Sequence, residues 1–389
     1  MSHPSLAPLL SSEGWAHASA EPVDAEDPGR FHALFGRDSL IVALQVLRRD
    51  PEVAVATLRA LAARQGRAED PETEEQPGRI LHEDRPVAPS WLVELGWPVR
   101  DGAMRYFGSS DSTSWFLVVL AASGPDLADE LAPARRAAAD WLERAISSGG
   151  GLVRSGPRDF PGGLSQQGWR DALDPATDAH GGGIVREDGT APGSPLGDAD
   201  SQAVAVAALD ALAALEPERA AHWEQSAAAL RSRIADHFLP EVLALEGDDR
   251  PVPGAGSQLG WLLWAEALPD AAVQGVVDRL TRPDVFTAYG VRTLAATHPA
   301  FLVDGYHRGT VWPFDSWLCW GGLRRAGATE AAERVRDGVR RAVAELGGFP
   351  ELYAVGPAGD LRRVPVANHV QAWTVGAMIA FDDDWDGRA

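Results

Sequence analysis

Leu47-Arg48-Arg49-Asp50-Pro51-Glu52-Val53 is the joint between two helical patterns, and its brevity decides the fold. Upstream, Ser39–Arg49 places its apolar residues on one face at helical spacing. Downstream, Pro51–Gln65 does the same, with proline at the helix start, where a missing N–H costs nothing. Asp50 alone joins them, which predicts an antiparallel helical hairpin. Similar tight joints recur at Ser123–Leu127, Glu216, Pro269 and Gly327. They separate helices expected over Ser112–Ala122, Ala128–Ser147, Asp200–Leu215, Pro217–Phe238, Ser257–Leu268, Pro269–Leu280, Val311–Arg325, Ala328–Leu346 and Asn368–Phe381. A weaker helix is expected near Ser5–Ala18, and small hairpins at Ala288–Leu294 and Leu361–Val366. The other connections are long: Glu21–Asp38, Gly66–Asp111, Ser148–Ala199, Leu239–Gly256, Thr281–Thr310 and Gly347–Ala367. Short and long links therefore alternate around six helix pairs. An open α-solenoid would repeat at fixed length with similar loops, and these loops vary widely. We expect an all-α fold, a closed (α/α)6 barrel spanning residues 1–389 as one domain, with its long loops gathered on one face. Loops of this length in a compact fold usually carry function.

The chain has 389 residues, 45% hydrophobic and 23% charged, ample for a large core. Its formal net charge is -21, which argues against nucleic acid as a partner. There is no lysine, so every basic side chain other than histidine is arginine. The acidity reads first as a solvated surface. A single cysteine, Cys319, rules out a disulfide within the chain and suits a buried, inert thiol. Residues 1–22 lack the basic start and continuous apolar run of a leader, and no stretch reaches membrane-spanning length. The expectation is a soluble, cytoplasmic protein with no membrane partner and no cofactor; a homo-oligomer stays open. His82, His180, His307 and His369 are scattered without ligand spacing, so no metal is expected. Phosphate-binding glycine motifs and a serine nucleophile elbow are also missing.

The unusual residues sit in the long loops. Gln167-Gly168-Trp169-Arg170-Asp171 sets a carboxyl beside an indole and a guanidinium, the groups a sugar-cleaving site needs. A second carboxyl, Glu351, lies in Gly348-Phe349-Pro350-Glu351-Leu352-Tyr353. Phe35-Gly36-Arg37-Asp38-Ser39 ends the first loop. Its Asp38 can cap the following helix or, with Arg37, hold vicinal hydroxyls, and the residues alone leave the two even. Gly78-Arg79-Ile80-Leu81-His82-Glu83 and then Asp111 fall in the second loop, and Asp111 has the same capping alternative. The third loop ends with Asp198 and Asp200 before Gln202. Later loops carry Arg292, Tyr306-His307-Arg308 and Trp312, and the last runs into Gln371-Ala372-Trp373. A tryptophan is more often core than platform. Clustering beside charged residues at loop ends favours a ligand role for Trp169, Trp312 and Trp373.

Taken in order, these segments resemble the amylo-alpha-1,6-glucosidase domain of glycogen-debranching-type proteins. Those belong to the (α/α)6 glycoside hydrolases that also include glucoamylases, trehalases and mannosylglycerate hydrolases. The resemblance rests on 33–40, 56–62, 75–83, 106–111, 167–171, 290–294, 306–313, 349–352 and 371–373. It implies inverting hydrolysis of an α-glucosidic bond at a non-reducing end, with Asp171 as general acid and Glu351 as general base. It also implies a sugar site built from Phe35, Arg37, Asp38, His82, Asp111, Trp169, Arg170, Arg292, His307, Trp312, Gln371 and Trp373. Inverting sites keep their carboxyls about 6.5–9.5 Å apart to admit a water. Arg170 should point away from Asp171, because a direct pair would hold the acid ionised. The chain departs from the family at Ala367-Asn368-His369-Val370 and in the polar stretch 174–180, which bears on the substrate, an oligosaccharide or a small glycoside. Hydrolysis of a glucosyl- or mannosylglycerate is one alternative. Phosphorolysis, a sugar epimerase using His82, His307 and His369, and a non-catalytic carbohydrate binder are others.

Overall fold

The computed structural model describes residues 4–20, 31–156, 160 and 162–388. Part of the first long connection (21–30) and part of the third (157–159 and 161) lie outside the described residues. The helices in chain order are α1 (Gly36–Val46), α2 (Pro51–Ala63), α3 (Ser90–Glu94), α4 (Ser112–Ala122), α5 (Pro125–Glu130) and α6 (Ala132–Ser148). They continue with α7 (Ala199–Leu215), α8 (Ala220–His237), α9 (Gln258–Trp264), α10 (Asp270–Leu280), α11 (Pro313–Arg325), α12 (Thr329–Leu346) and α13 (Ala372–Asp382). Six of them are buried over nearly all their length: α1, α4, α7, α9, α11 and α13. These pack side by side in that order, and α13 returns to α1, so the inner ring closes. Around it α2, α6, α8, α10 and α12 each pack on the preceding inner helix. These outer helices bury one face only, and α12 is the most amphipathic, with Val335, Val339 and Val343 inward. The architecture is the (α/α)6 barrel that the alternating links imply.

The sixth outer position departs from expectation. Residues 5–18 form a single 3-10 turn, Ala7–Leu9, and otherwise irregular chain, with Leu6, Leu9, Trp15 and Ala16 buried. Pro4 and Pro8 interrupt the backbone donors a helix there would need. Instead this segment is pinned by backbone hydrogen bonds, Ala18 N to Ala33 O and Ala372 N to Ala18 O. The expected helix 128–147 is two helices broken at Leu131, because Pro133 has no N–H to continue α5 and is suited to the first turn of α6. Helix α13 begins at Ala372, not Asn368; residues 368–371 are extended and turned to serve the site.

From α2 onward every long connection leaves an outer helix and enters an inner one, so these loops collect where the inner helices begin. Short antiparallel strands brace them. One sheet runs β1 (Leu34–Phe35), β2 (Glu83–Arg85), β4 (Ala103–Tyr106), β3 (Val99–Arg100). Another joins β5 (Gly197–Asp198), β6 (Val242–Leu245) and β7 (Pro251–Pro253). Two hairpins form, each beginning before the stretch expected for it: β8 (Phe286–Thr287) with β9 (Gly290–Val291), and β10 (Tyr353–Val355) with β11 (Leu361–Arg363), so that 288–294 and 361–366 hold only the second strands. At the opposite end the tail seals the ring: Trp385 donates to Leu44 O at 2.6 Å, while Trp317 and Trp264 donate to Trp385 O and Asp386 O. No helix among the described residues is long and apolar enough to cross a membrane.

Helices α9 and α11 approach unusually closely. A Cβ on Gly260 would lie 2.4 Å from Cys319 Sγ, and one on Gly322 would lie 2.4 Å from Gly260 O. Gly322→Ala should therefore lose about 1–3 kcal/mol in chemical denaturation through overpacking against backbone. Gly275→Ala, on outer helix α10 where a Cβ meets nothing within 4 Å, should lose nothing.

Candidate active site

Arg37 organises the mouth. It sits in the first turn of α1, which begins at Gly36 because Phe35 is held extended as the β1 partner of Glu83. Its Nε donates to both Asp111 oxygens at 2.9 and 2.8 Å, NH1 to Asp171 Oδ2 at 3.1 Å, and NH2 to Gln167 O at 3.1 Å. One buried guanidinium thus ties α1, the start of α4 and the 167–171 turn. Asp111 is fully buried and spent on Arg37; it sets that arginine and has no open face for a sugar. The expected sugar contact at Asp111 is corrected accordingly. Asp38 lies inside the helix and makes no capping hydrogen bond. Its carboxyl is buried, and burial pushes it up to about 8 despite Arg37, with Asp171, Glu351 and Asp111 adding to the rise. Asp38 thus feels the charge of both candidate catalytic carboxyls.

Asp171 is the more open of the two, with 29% of its side chain exposed. Burial raises it to about 6 against the pull of Arg37. It is an acid that still holds a proton under mildly acidic conditions. Arg170 points away. Its NH1 meets Asp200 Oδ2 at 2.7 Å and its NH2 donates to Ser257 Oγ at 2.8 Å, both buried below the turn. Arg170 therefore anchors the turn to α7 and α9 and does not reach a ligand, which corrects its expected sugar contact. Asp200 is driven to about 7 and Asp315 to about 6, burial being the main cause for each. Glu351 is almost wholly buried. It accepts from the Tyr306 hydroxyl and from Asn368 N–H at 2.9 Å, while its own N–H donates to Asn368 O. Residues 368–371 are unwound so that this turn can hold the carboxylate, and Gln371 Oε1 receives Asn368 Nδ2 at 3.0 Å.

Aromatic rings form the floor. Trp169 stacks on Trp261, with centroids 5.8 Å apart, and meets Trp312 and Phe314 edge-on. Phe314 stacks on Trp373 at 4.0 Å, and His307 stacks on Trp312 at 5.3 Å. Gly183 N–H donates to His307 Nδ1, which leaves Nε2 as the donor nitrogen. Burial, then nearby arginines, holds both His82 and His307 well below the usual histidine range, so both are neutral. His82 is wedged edge-on between Phe35 and Tyr106, and His369 is exposed. The three histidines of the epimerase alternative thus occupy three different settings. Arg292 donates to Gly309 O and Val355 O, clamping two loops, and does not reach toward a ligand; its expected sugar contact is corrected.

Two site residues escaped the candidate set. Glu83 is buried in β2, paired with Arg85, and driven to about 7 by burial, with Asp171 adding to the rise. Tyr306 is the donor to Glu351. Both stood next to chosen histidines, and a hydroxyl or carboxyl beside a histidine was the available signal. The Arg170–Asp200 pair can be tested by removing it in two ways. Asp200→Asn leaves a buried guanidinium unpaired and should lose about 3–5 kcal/mol in denaturation. Arg170→Met/Asp200→Leu should melt near the wild type, because apolar replacement of a buried pair is often neutral. Its turnover should nevertheless fall, as the turn carrying Asp171 loses its anchor.

The chain matches, over residues 35–355, the family model described as the mannosylglycerate hydrolase MGH1-like glycoside hydrolase domain. No curated protein matches it in sequence. Among solved structures it is similar to the GH63 mannosylglycerate hydrolase from Thermus thermophilus in complex with Tris. The TM-score is 0.70 and identity 16%, covering 96% of this chain and 97% of that one. The glucose complex of that enzyme gives TM-score 0.69 and 17% identity over 97% and 98%. Its complex with Tris and D-glycerate gives 0.69 and 15% over 95% and 96%. The structural likeness supports the fold, and the family match extends through both candidate catalytic carboxyls to β10. The chain belongs to the mannosylglycerate hydrolase MGH1-like family of glycoside hydrolases and is a glycosidase of the (α/α)6 class.

Proposed function

We propose that the protein hydrolyses an α-glycosidic bond at a non-reducing end with inversion at the anomeric carbon. Asp171 gives its proton to the departing glycosidic oxygen. Glu351 takes a proton from a water whose oxygen attacks the anomeric carbon from the other face. One carboxyl loses a proton and the other gains one, and proton exchange with solvent resets the pair. Asp38 accepts from hydroxyls of the bound sugar, while the Trp312 and Trp373 rings, backed by Phe314, give it an apolar floor. The observation that carries this reading is the contrast between the two carboxyls. Asp171 is part-exposed and pushed toward the protonated form by burial, whereas Glu351 is buried and aimed by two donors. That asymmetry divides the roles of acid and base. The debranching-type reading, with an α-1,6-linked glucose as substrate, follows from the sequence resemblance. The family match favours a second reading, in which the leaving group is a small hydroxy acid such as glycerate.

Asp171→Asn should lower kcat at least about a hundredfold on an unactivated glycoside, the usual worth of a general acid. Glu351→Gln should do the same. Proton NMR of an α-glycoside digest should show the β-anomer of the sugar appearing first; first appearance of the α-anomer would refute inversion. The acid must hold its proton, so kcat/KM should fall as pH rises through about 6, the value burial gives Asp171. An alkaline limb above pH 8 would oppose Asp171 as the acid.

A further inference from the structure

Asp315 is the third residue of α11, and no part of it reaches solvent. Its neighbours Trp312 and Phe314 meet the Trp169 ring edge-on, so the start of α11 frames the indole two residues before Asp171. Burial pushes the Asp315 carboxyl up to about 6. Its Oδ2 is buried without a hydrogen-bond donor. An oxygen left in that state costs stability, so packing alone does not account for a carboxyl at this position.

The groups that Asp315 does meet lead by two routes to one turn. Its Oδ1 accepts from the Trp261 Nε1–H at 2.6 Å. Trp261 lies parallel to Trp169, with 6° between the ring planes and 5.8 Å between centroids. The second group is Ser257, whose hydroxyl, like the Trp261 indole, draws the Asp315 carboxyl back toward the ionised form. Ser257 Oγ accepts from Arg170 NH2 at 2.8 Å, which leaves its hydroxyl hydrogen to face the carboxyl. Ser257 and Trp261 are four residues apart, at the N-cap and on the same face of α9. One carboxyl on α11 is therefore linked, through two side chains of α9, to both Trp169 and Arg170, the two residues before Asp171.

The other groups nearby have holders of their own. Asp200 already answers the Arg170 charge from α7, at 2.7 Å. Asp38 stands within α1, and Glu351 is held by the Tyr306 hydroxyl and the Asn368 N–H. What sets Asp315 apart is that the indole route and the guanidinium route meet at it.

We infer that Asp315 is a positioning residue for the general acid: it fixes Trp261 and Ser257, these fix Trp169 and Arg170, and together they set where the Asp171 carboxyl stands. The inference rests on the proposed role of Asp171. Asp315 touches no substrate, and the sugar-binding Asp38 and the base Glu351 do not depend on it. Its loss should therefore be felt at the leaving group, where the proton is delivered, and not at the bound sugar or the attacking water.

The test uses two substrates of the preferred sugar, glucose or mannose. A methyl α-glycoside needs a proton on its departing oxygen, whereas an α-glycosyl fluoride expels fluoride without one. Asp315→Asn should lower kcat on the methyl glycoside about ten- to a hundredfold, as for an acid moved off its mark, while KM and the fluoride kcat stay within about threefold. Asp315→Leu, which removes the buried charge and both acceptor oxygens, should show the same split and serves if the Asn variant does not fold. Ser257→Ala should cost far less in that background than alone, because the two residues lie on one route. An equal loss on both substrates, or undiminished turnover of the methyl glycoside, would overturn the role. Asp171→Asn is the control: if it does not itself show the split, the acid assignment is what fails. Crystal structures judge Asp315 without turnover. In Asp315→Leu the Trp169 ring should leave its parallel stack and Asp171 its 3.1 Å contact with Arg37, with Glu351 still held by Tyr306 and Asn368. An unmoved Asp171 would remove the inference.

Discussion

The site depends on the charge balance around Arg37. A single buried guanidinium holds Asp111 at the start of α4, the Gln167 carbonyl and the Asp171 carboxyl, and its own position is fixed by α1. Burying a charge this deeply is tolerable only when it is paired and hydrogen-bonded, and Asp111 supplies that pairing with both of its oxygens on the Arg37 Nε–H. The consequence for Asp171 is a balance of opposing effects. Burial favours the protonated acid, Arg37 favours the carboxylate, and burial wins by enough to bring the group to about 6. Arg37 therefore orients the Asp171 carboxyl while burial still holds it above the usual carboxylate range.

A second buried pair supports the same turn from below. Arg170, adjacent in sequence to Asp171, turns inward to Asp200 and Ser257, and its guanidinium lies 4.8 Å from the Trp169 ring centre. Trp169 stacks on Trp261, whose N–H donates to Asp315 at 2.6 Å. Asp171 is thus carried on a short segment whose two neighbouring side chains are locked into three inner helices. The non-catalytic alternative makes no demand on this arrangement, whereas a proton donor does, in hydrolysis and phosphorolysis alike, because its distance to the glycosidic oxygen must be held within a fraction of an ångström.

Much of this was legible in the chain. Helix α4 lies where the sequence puts it, Ser112–Ala122, because its apolar run from Trp115 onward is bounded by Asp111 and Ser123. The joint at Asp50 told which helices pair, and loop length told which end carries the site. The inward turn of Arg170 followed from what a neighbouring cation would do to an acid. The strands were mostly not legible: elements of two to four residues, such as Gly197–Asp198, are too short to show alternation, and they form because the loops above the ring need backbone partners. Nor could sequence say that Asp111 faces Arg37 and that Arg292 serves two carbonyls. Those outcomes are set by distant segments that meet only once the ring is closed.

Closure of that ring has its own consequence. The first inner helix, α1, packs against the last, α13, and the Trp385 indole reaches back to Leu44 at the closed end. Contacts between such distant segments must be made late, after the loop-closure entropy of most of the chain has been met. A stacked array of hairpins could form and fray one unit at a time. Here the carboxyls of the site belong to different segments of one hoop: Asp38 to α1, Asp171 to the turn held by α7, and Glu351 to the loop before α13. Loosening any one stave would therefore spread the geometry of all three, so the working site should be lost together with the ring.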